Sequence, residues 1–129
     1  MGLISKKVSN GKLLSSAQAV EVAAKAMPKA DFSNCRVLLI IPDATRTAPV
    51  GTMFKAIHNQ IGSSVSALDI MIALGTHQTM SEAAIEQRLE ISHNERITKY
   101  SKVQFFNHAW EDPNELKNIG TISANEISD

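Results

Sequence analysis

An α/β fold, with a mainly parallel sheet covered by helices, is what this sequence predicts, on three observations. First, two runs are almost continuously apolar, Val37-Leu38-Leu39-Ile40-Ile41 and Leu68-Asp69-Ile70-Met71-Ile72-Ala73-Leu74, and a third, Val103-Gln104-Phe105-Phe106, is shorter. Such runs mark strands buried on both faces, as in parallel sheets. Second, segments of helical periodicity alternate with them, giving the order α-β-α-β-α-β-β. Third, each run ends in a polar cluster: Pro42-Asp43-Ala44-Thr45-Arg46, Gly75-Thr76-His77 and Asn107-His108. Right-handed crossovers place consecutive loops on the same edge of the sheet. Ligands bind beyond the carboxyl ends of such strands. The expected architecture is a three-layer, Rossmann-like domain with an Asp, an Arg and two His gathered along one edge.

Each element has a local cause. Residues 1–14 are polar and contain Gly and Ser, which predicts a flexible N-terminal arm before a single domain over 15–129. Ser15 or Ser16 can cap a helix running to about Met27, with Val20, Ala23, Ala24 and Met27 on one stripe, and Pro28 stops it. Cys35 to Ile41 is the first strand. Thr47-Ala48-Pro49 opens a second helix, because a first turn tolerates the missing proline N–H. Met53, Phe54, Ile57 and Ile61 recur at helical spacing until Gly62. Residues 65–74 form the second strand. Thr79-Met80-Ser81-Glu82 has the pattern of a capping box, with Thr79 as N-cap, and Ala83, Ile85 and Leu89 follow. Residues 102–107 form the third strand, Asp112-Pro113-Asn114 a turn, and Leu116 to Ile122 a short fourth strand. The chain then stops at Asp129 with nothing to complete a site, so it is expected to be the N-terminal part of a longer protein.

Composition narrows the function classes. The 129 residues suit one domain, with 43% hydrophobic and 20% charged residues, as in a soluble globular protein. Thirteen basic and thirteen acidic residues cancel, which argues against nucleic acid or anionic membrane as a partner. No apolar run reaches the roughly 20 residues of a spanning helix. Met1 to Lys12 has no apolar signal-peptide core. The single cysteine, Cys35, excludes an internal disulfide and points to the cytoplasm; as it enters a strand, it is expected to be a core thiol.

The strand-end clusters carry the chemistry. After Pro42, a tight turn presents Asp43, Thr45 and Arg46 just before a helix. Helix-opening amides favour anions, and the Arg46 fork matches a carboxylate or phosphate bidentately. Equally, Asp43 can make a local Asx turn with Arg46 paired to it. His77 follows Gly75, whose backbone freedom suits a turn, and precedes the helix assigned to Thr79. A positive helix end keeps imidazole neutral, and a neutral histidine can act as general base; the plain alternative is a loop histidine bonded to backbone. His108 is a third candidate, and Trp110 beside it covers a ligand or caps the core. His58 borders an apolar helix face, and His93 lies in a polar stretch. No phosphate-cradling glycine motif, His-Glu-x-x-His, cysteine pair or Gly-x-Ser-x-Gly occurs.

Taken together, Asp43-Ala44-Thr45-Arg46-Thr47-Ala48-Pro49, Gly75-Thr76-His77-Gln78-Thr79-Met80-Ser81, Asn107-His108 and Leu116-Lys117-Asn118-Ile119-Gly120-Thr121 resemble the N-terminal domain of the nickel-pincer-dependent lactate racemase family. The motifs keep their order over most of residues 15–123. The resemblance implies racemisation or epimerisation of a small 2-hydroxy acid by hydride transfer to a nickel pincer nucleotide. It implies His77 as one of two acid/base histidines, Arg46 as a substrate-holding residue, and Asp43 and Thr45 in the same site. Gln78 and Ala109 depart from the family pattern, which has arginine and an acidic residue there. The family's cofactor lysine, nickel-binding histidine and second acid/base histidine belong to a C-terminal part. This chain alone is therefore expected to hold no metal, keep no cofactor and be inactive. The alternative is a non-catalytic α/β module that binds a small carboxylate or a partner protein.

Overall fold

A computed structural model describes residues 15–127. The arm expected over residues 1–14 lies outside the described residues. Three strands, β1 (Arg36–Pro42), β2 (Ala67–Ala73) and β3 (Phe105–Asn107), form a parallel sheet in the order β1-β2-β3. The protein is thus α/β with a parallel sheet. Register pairs Pro42 with Ala73 and Ile72 with Asn107. The carboxyl ends of all three strands are therefore level, and their loops leave from one edge.

The helices follow from capping and periodicity. In α1 (Ser16–Ala26), Ser15 accepts from the Gln18 amide while the Gln18 side chain reaches back to the Ser15 N–H. A 3-10 turn, Lys29–Phe32, leads into β1. Pro49 is the N-cap of α2 (Val50–Ile61), and the chain leaves it at Gly62. α2 packs against α1, where the Gln60 amide donates to the Met27 carbonyl at 3.2 Å. Two shorter helices follow β2, α3 (Glu82–Arg88) and α4 (His93–Ile97).

One core results. Ile41, Ile70 and Ile72 of the sheet meet Phe54 of α2, Ile85 of α3, and Leu89, Ile91 and Tyr100. Phe54 and Tyr100 pack with ring centroids 4.9 Å apart. Every strand residue in this core lies on one face, because alternate residues point to opposite sides. The other face presents Leu38 (48% exposed), Ile40 (67%) and Phe106 (43%). The helical cover expected on both faces is present on one among the described residues.

Several local expectations are corrected. Leu116 to Ile122 forms no strand; every residue from 111 to 123 is exposed, and Ile119 is fully so, leaving nothing to offset the ordering of a strand. A short α5 (Ala124–Ile127) follows. Cys35 is exposed rather than buried, because β1 begins one residue later and the thiol turns toward the Asp31 and Ser33 carbonyls. The N-cap of α3 is Ser81, which accepts from the Ala84 amide, not Thr79. His93 lies in α4, a helix opened by a Ser92–Glu95 capping box, and bonds Glu86 at 2.9 Å on the surface.

Candidate functional site

Asp43 is the first residue beyond β1 and the one charged residue among the buried side chains described, 5% exposed. A buried carboxylate must have its acceptors filled. The Thr45 N–H and hydroxyl both donate to Oδ1, at 3.1 and 2.6 Å. His77 Nδ1 meets Oδ2 at 2.5 Å. Foremost the Thr45 hydroxyl, then the His77 contact, lower the Asp43 pKa to about 2 against the opposing effect of burial. The carboxylate is therefore ionised at neutral pH and can only accept. The proton on the facing ring nitrogen must then sit on Nδ1. In a neutral ring, Nε2 is left with its lone pair, the arrangement of a general base.

The loop between β2 and α3 delivers His77. Gly75 takes φ +61°, a left-handed conformation that glycine adopts without penalty. The His77 N–H closes the turn on the Leu74 carbonyl at 3.0 Å. Trp110 Nε1 donates to the His77 carbonyl at 3.1 Å. Asn107, the last residue of β3, accepts from the Met80 N–H at 2.9 Å and donates to the Met80 carbonyl at 3.0 Å. The His77 side chain stays half exposed, at 52%. A helix end was expected to keep this ring neutral, but α3 begins only after Ser81. The residue that orients it is Asp43, 34 positions earlier.

Arg46 stands on the same edge. Its loop is tied to α3 by Arg88, whose Nε and Nη2 donate to the Pro42 and Arg46 carbonyls at 3.2 and 2.8 Å. The Arg46 guanidinium itself is exposed and makes no hydrogen bond or ion pair with a described residue. The Asx turn considered for Asp43 is present, through Thr45; the Asp43–Arg46 pair is not, since His77 and Thr45 take both carboxylate oxygens. His108 also lies at this edge, where its N–H extends β3 by donating to the Ile72 carbonyl at 3.1 Å. No hydrogen bond joins its imidazole to the Asp43–His77 pair. Of the two roles considered for Trp110, its ring takes the core one, and its N–H adds a bond to the His77 loop that the sequence did not suggest.

The large clefts lie elsewhere. One of about 740 Å³ opens at the opposite edge, beside Arg36, Asp69, Lys102 and Gln104. Another of about 340 Å³ flanks β1 and α2, lined by Ile40, Pro49, Met53 and Ile57. The Asp43–His77–Arg46 cluster lines neither cleft: Asp43 is buried, while the His77 ring and Arg46 reach the surface. Among the described residues, no group of three or more His, Cys, Asp or Glu side chains could hold a metal ion. Arg88 carried no signal in the sequence, since an arginine at a helix end is ordinary.

An ionised Asp behind a strand-end histidine, with an uncommitted arginine beside it, invites comparison with known proteins. The model of the lactate racemase N-terminal domain family matches residues 4–127. The chain belongs to that family. A crystal structure of a Thermotoga maritima protein is similar as well, with 28% sequence identity and a TM-score of 0.73 over 89% of this chain. The chain spans about a quarter, 26%, of that protein's length. No curated protein matches. No described helix is long and apolar enough to cross a membrane.

Proposed function

We propose that this lactate racemase N-terminal domain supplies half of a 2-hydroxy acid racemase or epimerase site: a carboxylate grip and one acid/base group. The observation that carries the reading is the 2.5 Å contact between His77 Nδ1 and an ionised Asp43. Arg46 holds the substrate carboxylate through a charge-assisted fork, and Thr45 lies beside it. His77 Nε2 accepts the proton of the substrate hydroxyl. The imidazolium so formed is stabilised by Asp43 until the proton is returned. A C-terminal part of the enzyme would supply the second base. The C-terminal part would also hold the nickel pincer nucleotide and so supply the hydride acceptor. A cytoplasmic setting belongs to the same proposal, supported by the exposed free thiol of Cys35.

The test is titration of the isotope-labelled chain with L- and D-lactate, followed by NMR. Both enantiomers should shift the Arg46 and His77 side-chain resonances, and Arg46→Ala should abolish the response. An unchanged response in Arg46→Ala refutes the grip. The second reading, a module that binds a small carboxylate without chemistry, is favoured by the unpaired Arg46. It is upheld if lactate moves Arg46 and leaves His77 unmoved.

A further inference from the structure

We propose that Asn107 is a positioning residue for His77: its side-chain amide clamps the Met80 backbone and so fixes the loop that aims the imidazole at Asp43. This rests on the acid/base reading of His77 and adds to it a residue that touches neither substrate nor ring.

The loop between Ala73 and Glu82 has little of its own to hold it. Its one internal backbone bond among those found is the His77 N–H to the Leu74 carbonyl. Left there, residues 78–81 would swing about the Gly75 turn. Asn107 prevents this by engaging Met80 twice, as acceptor at 2.9 Å and donor at 3.0 Å, across 27 positions of sequence. The two bonds fix the amide orientation, since a flipped amide would oppose donor to donor and acceptor to acceptor. A paired contact also fixes direction, where a single bond would leave rotation free. Trp110 Nε1 grips the His77 carbonyl from the same side of the sheet edge. His77 is therefore held between two anchors, one three residues after it and one on its own backbone.

The ring is half exposed, so packing does not orient it. Its tautomer depends on Nδ1 staying within reach of Asp43. Small misplacements of a reacting group are costly, about 100-fold in rate for roughly 1 Å. A clamp at Met80 is the kind of support such a ring requires.

The experiment is ¹⁵N NMR of the His77 ring in the chain of residues 1–129, with the imidazole in its neutral form. In the native chain, the Nδ1–H form should dominate. Asp43→Asn serves as the control that weakens this bias directly. Asn107→Ala should lose the bias, moving His77 toward the tautomer mixture of a free imidazole, while circular dichroism still shows the native fold. Should Asn107→Ala fail to fold, Asn107→Asp keeps the acceptor for the Met80 N–H and removes the donor, and Trp110→Phe removes the His77 carbonyl bond while keeping an aromatic ring against the core. Both should reduce the bias. A native Nδ1–H fraction in all folded Asn107 variants overturns the proposal. The readout needs no substrate, so a chain that fails to bind lactate but loses its tautomer bias in Asn107→Ala would refute the substrate reading and leave the clamp standing.

Discussion

Replacing Arg88 with methionine isolates the strut between α3 and the loop that carries Asp43 and Arg46. Methionine keeps the apolar stem and removes the guanidinium. Two hydrogen bonds disappear, from Nε to the Pro42 carbonyl and from Nη2 to the Arg46 carbonyl. Hydrogen bonds from a charged donor contribute about 1.5–3 kcal/mol net when sheltered. The Pro42 bond is part-buried and takes the lower part of that range. The Arg46 bond is exposed, and solvent screening reduces it to about 0.5–1 kcal/mol. The sum is about 2–3 kcal/mol, a large share of the stability of a domain this size. Urea denaturation at pH 7, followed by circular dichroism, measures it. The midpoint should fall with an unchanged slope, because the surface exposed on unfolding is nearly the same. Amide exchange at Thr45 and Arg46 should accelerate by more than at the core strands. A midpoint within error of the native chain would show that the strut carries no load and that the loop is held by Asp43 alone.

Three further outcomes follow from the geometry. The Asp43 pKa is lowered from 3.8 to about 2, so its contribution is complete above about pH 4 and lost as pH falls toward 2; Asp43→Asn should flatten the acid limb of a stability–pH curve in that window. His58, packed edge-on to Tyr100 at 4.8 Å, has its pKa lowered by burial and then by Lys99. The unfolded chain therefore binds more protons just below pH 6.5, stability falls there on acidification, and His58→Phe should remove that slope in pH-dependent melts. Finally, residues 1–129 should show no inversion of either lactate enantiomer in a polarimetric or chiral chromatographic assay, because proton transfer on both faces needs two bases and the site proposed for this chain has one.

The strands and their ends were legible because short, near-continuous apolar runs bounded by polar residues mark strands, even where alternate side chains such as Leu38 and Ile40 end up exposed. A run such as Leu38-Leu39-Ile40-Ile41 has few other uses, and a polar residue directly after it falls at the edge. Asp43, Arg46 and His77 were therefore recoverable as neighbours along that edge. Their pairing was not. Whether Asp43 faces Arg46 or His77 depends on how two loops 34 residues apart lean, and no local pattern records that. The N-cap of α3 shows the same limit. Thr79 and Ser81 both precede suitable partners, and the decision went to Ser81 because Asn107 had already engaged the Met80 backbone. Conversely, the Ser92–Glu95 box was in plain view, but α4 is five residues long and carries no apolar stripe for periodicity to find. The fourth strand failed for want of burial: residues 111–123 are exposed throughout, so no buried area offsets the entropy of ordering them.

The sheet face that carries Leu38, Ile40 and Phe106 has a practical consequence for the protein in solution. Apolar side chains on a flat, pleated surface invite contact between molecules. Mutual repulsion is the usual safeguard, and here formal charges sum to zero near neutral pH. Colloidal behaviour and folding stability are therefore separate properties of this chain. A well-packed core around Phe54 and Tyr100 can coexist with poor solubility at pH 7, and moving the pH away from neutrality in either direction restores the charge that keeps the molecules apart, down to the acid limit that Asp43 sets.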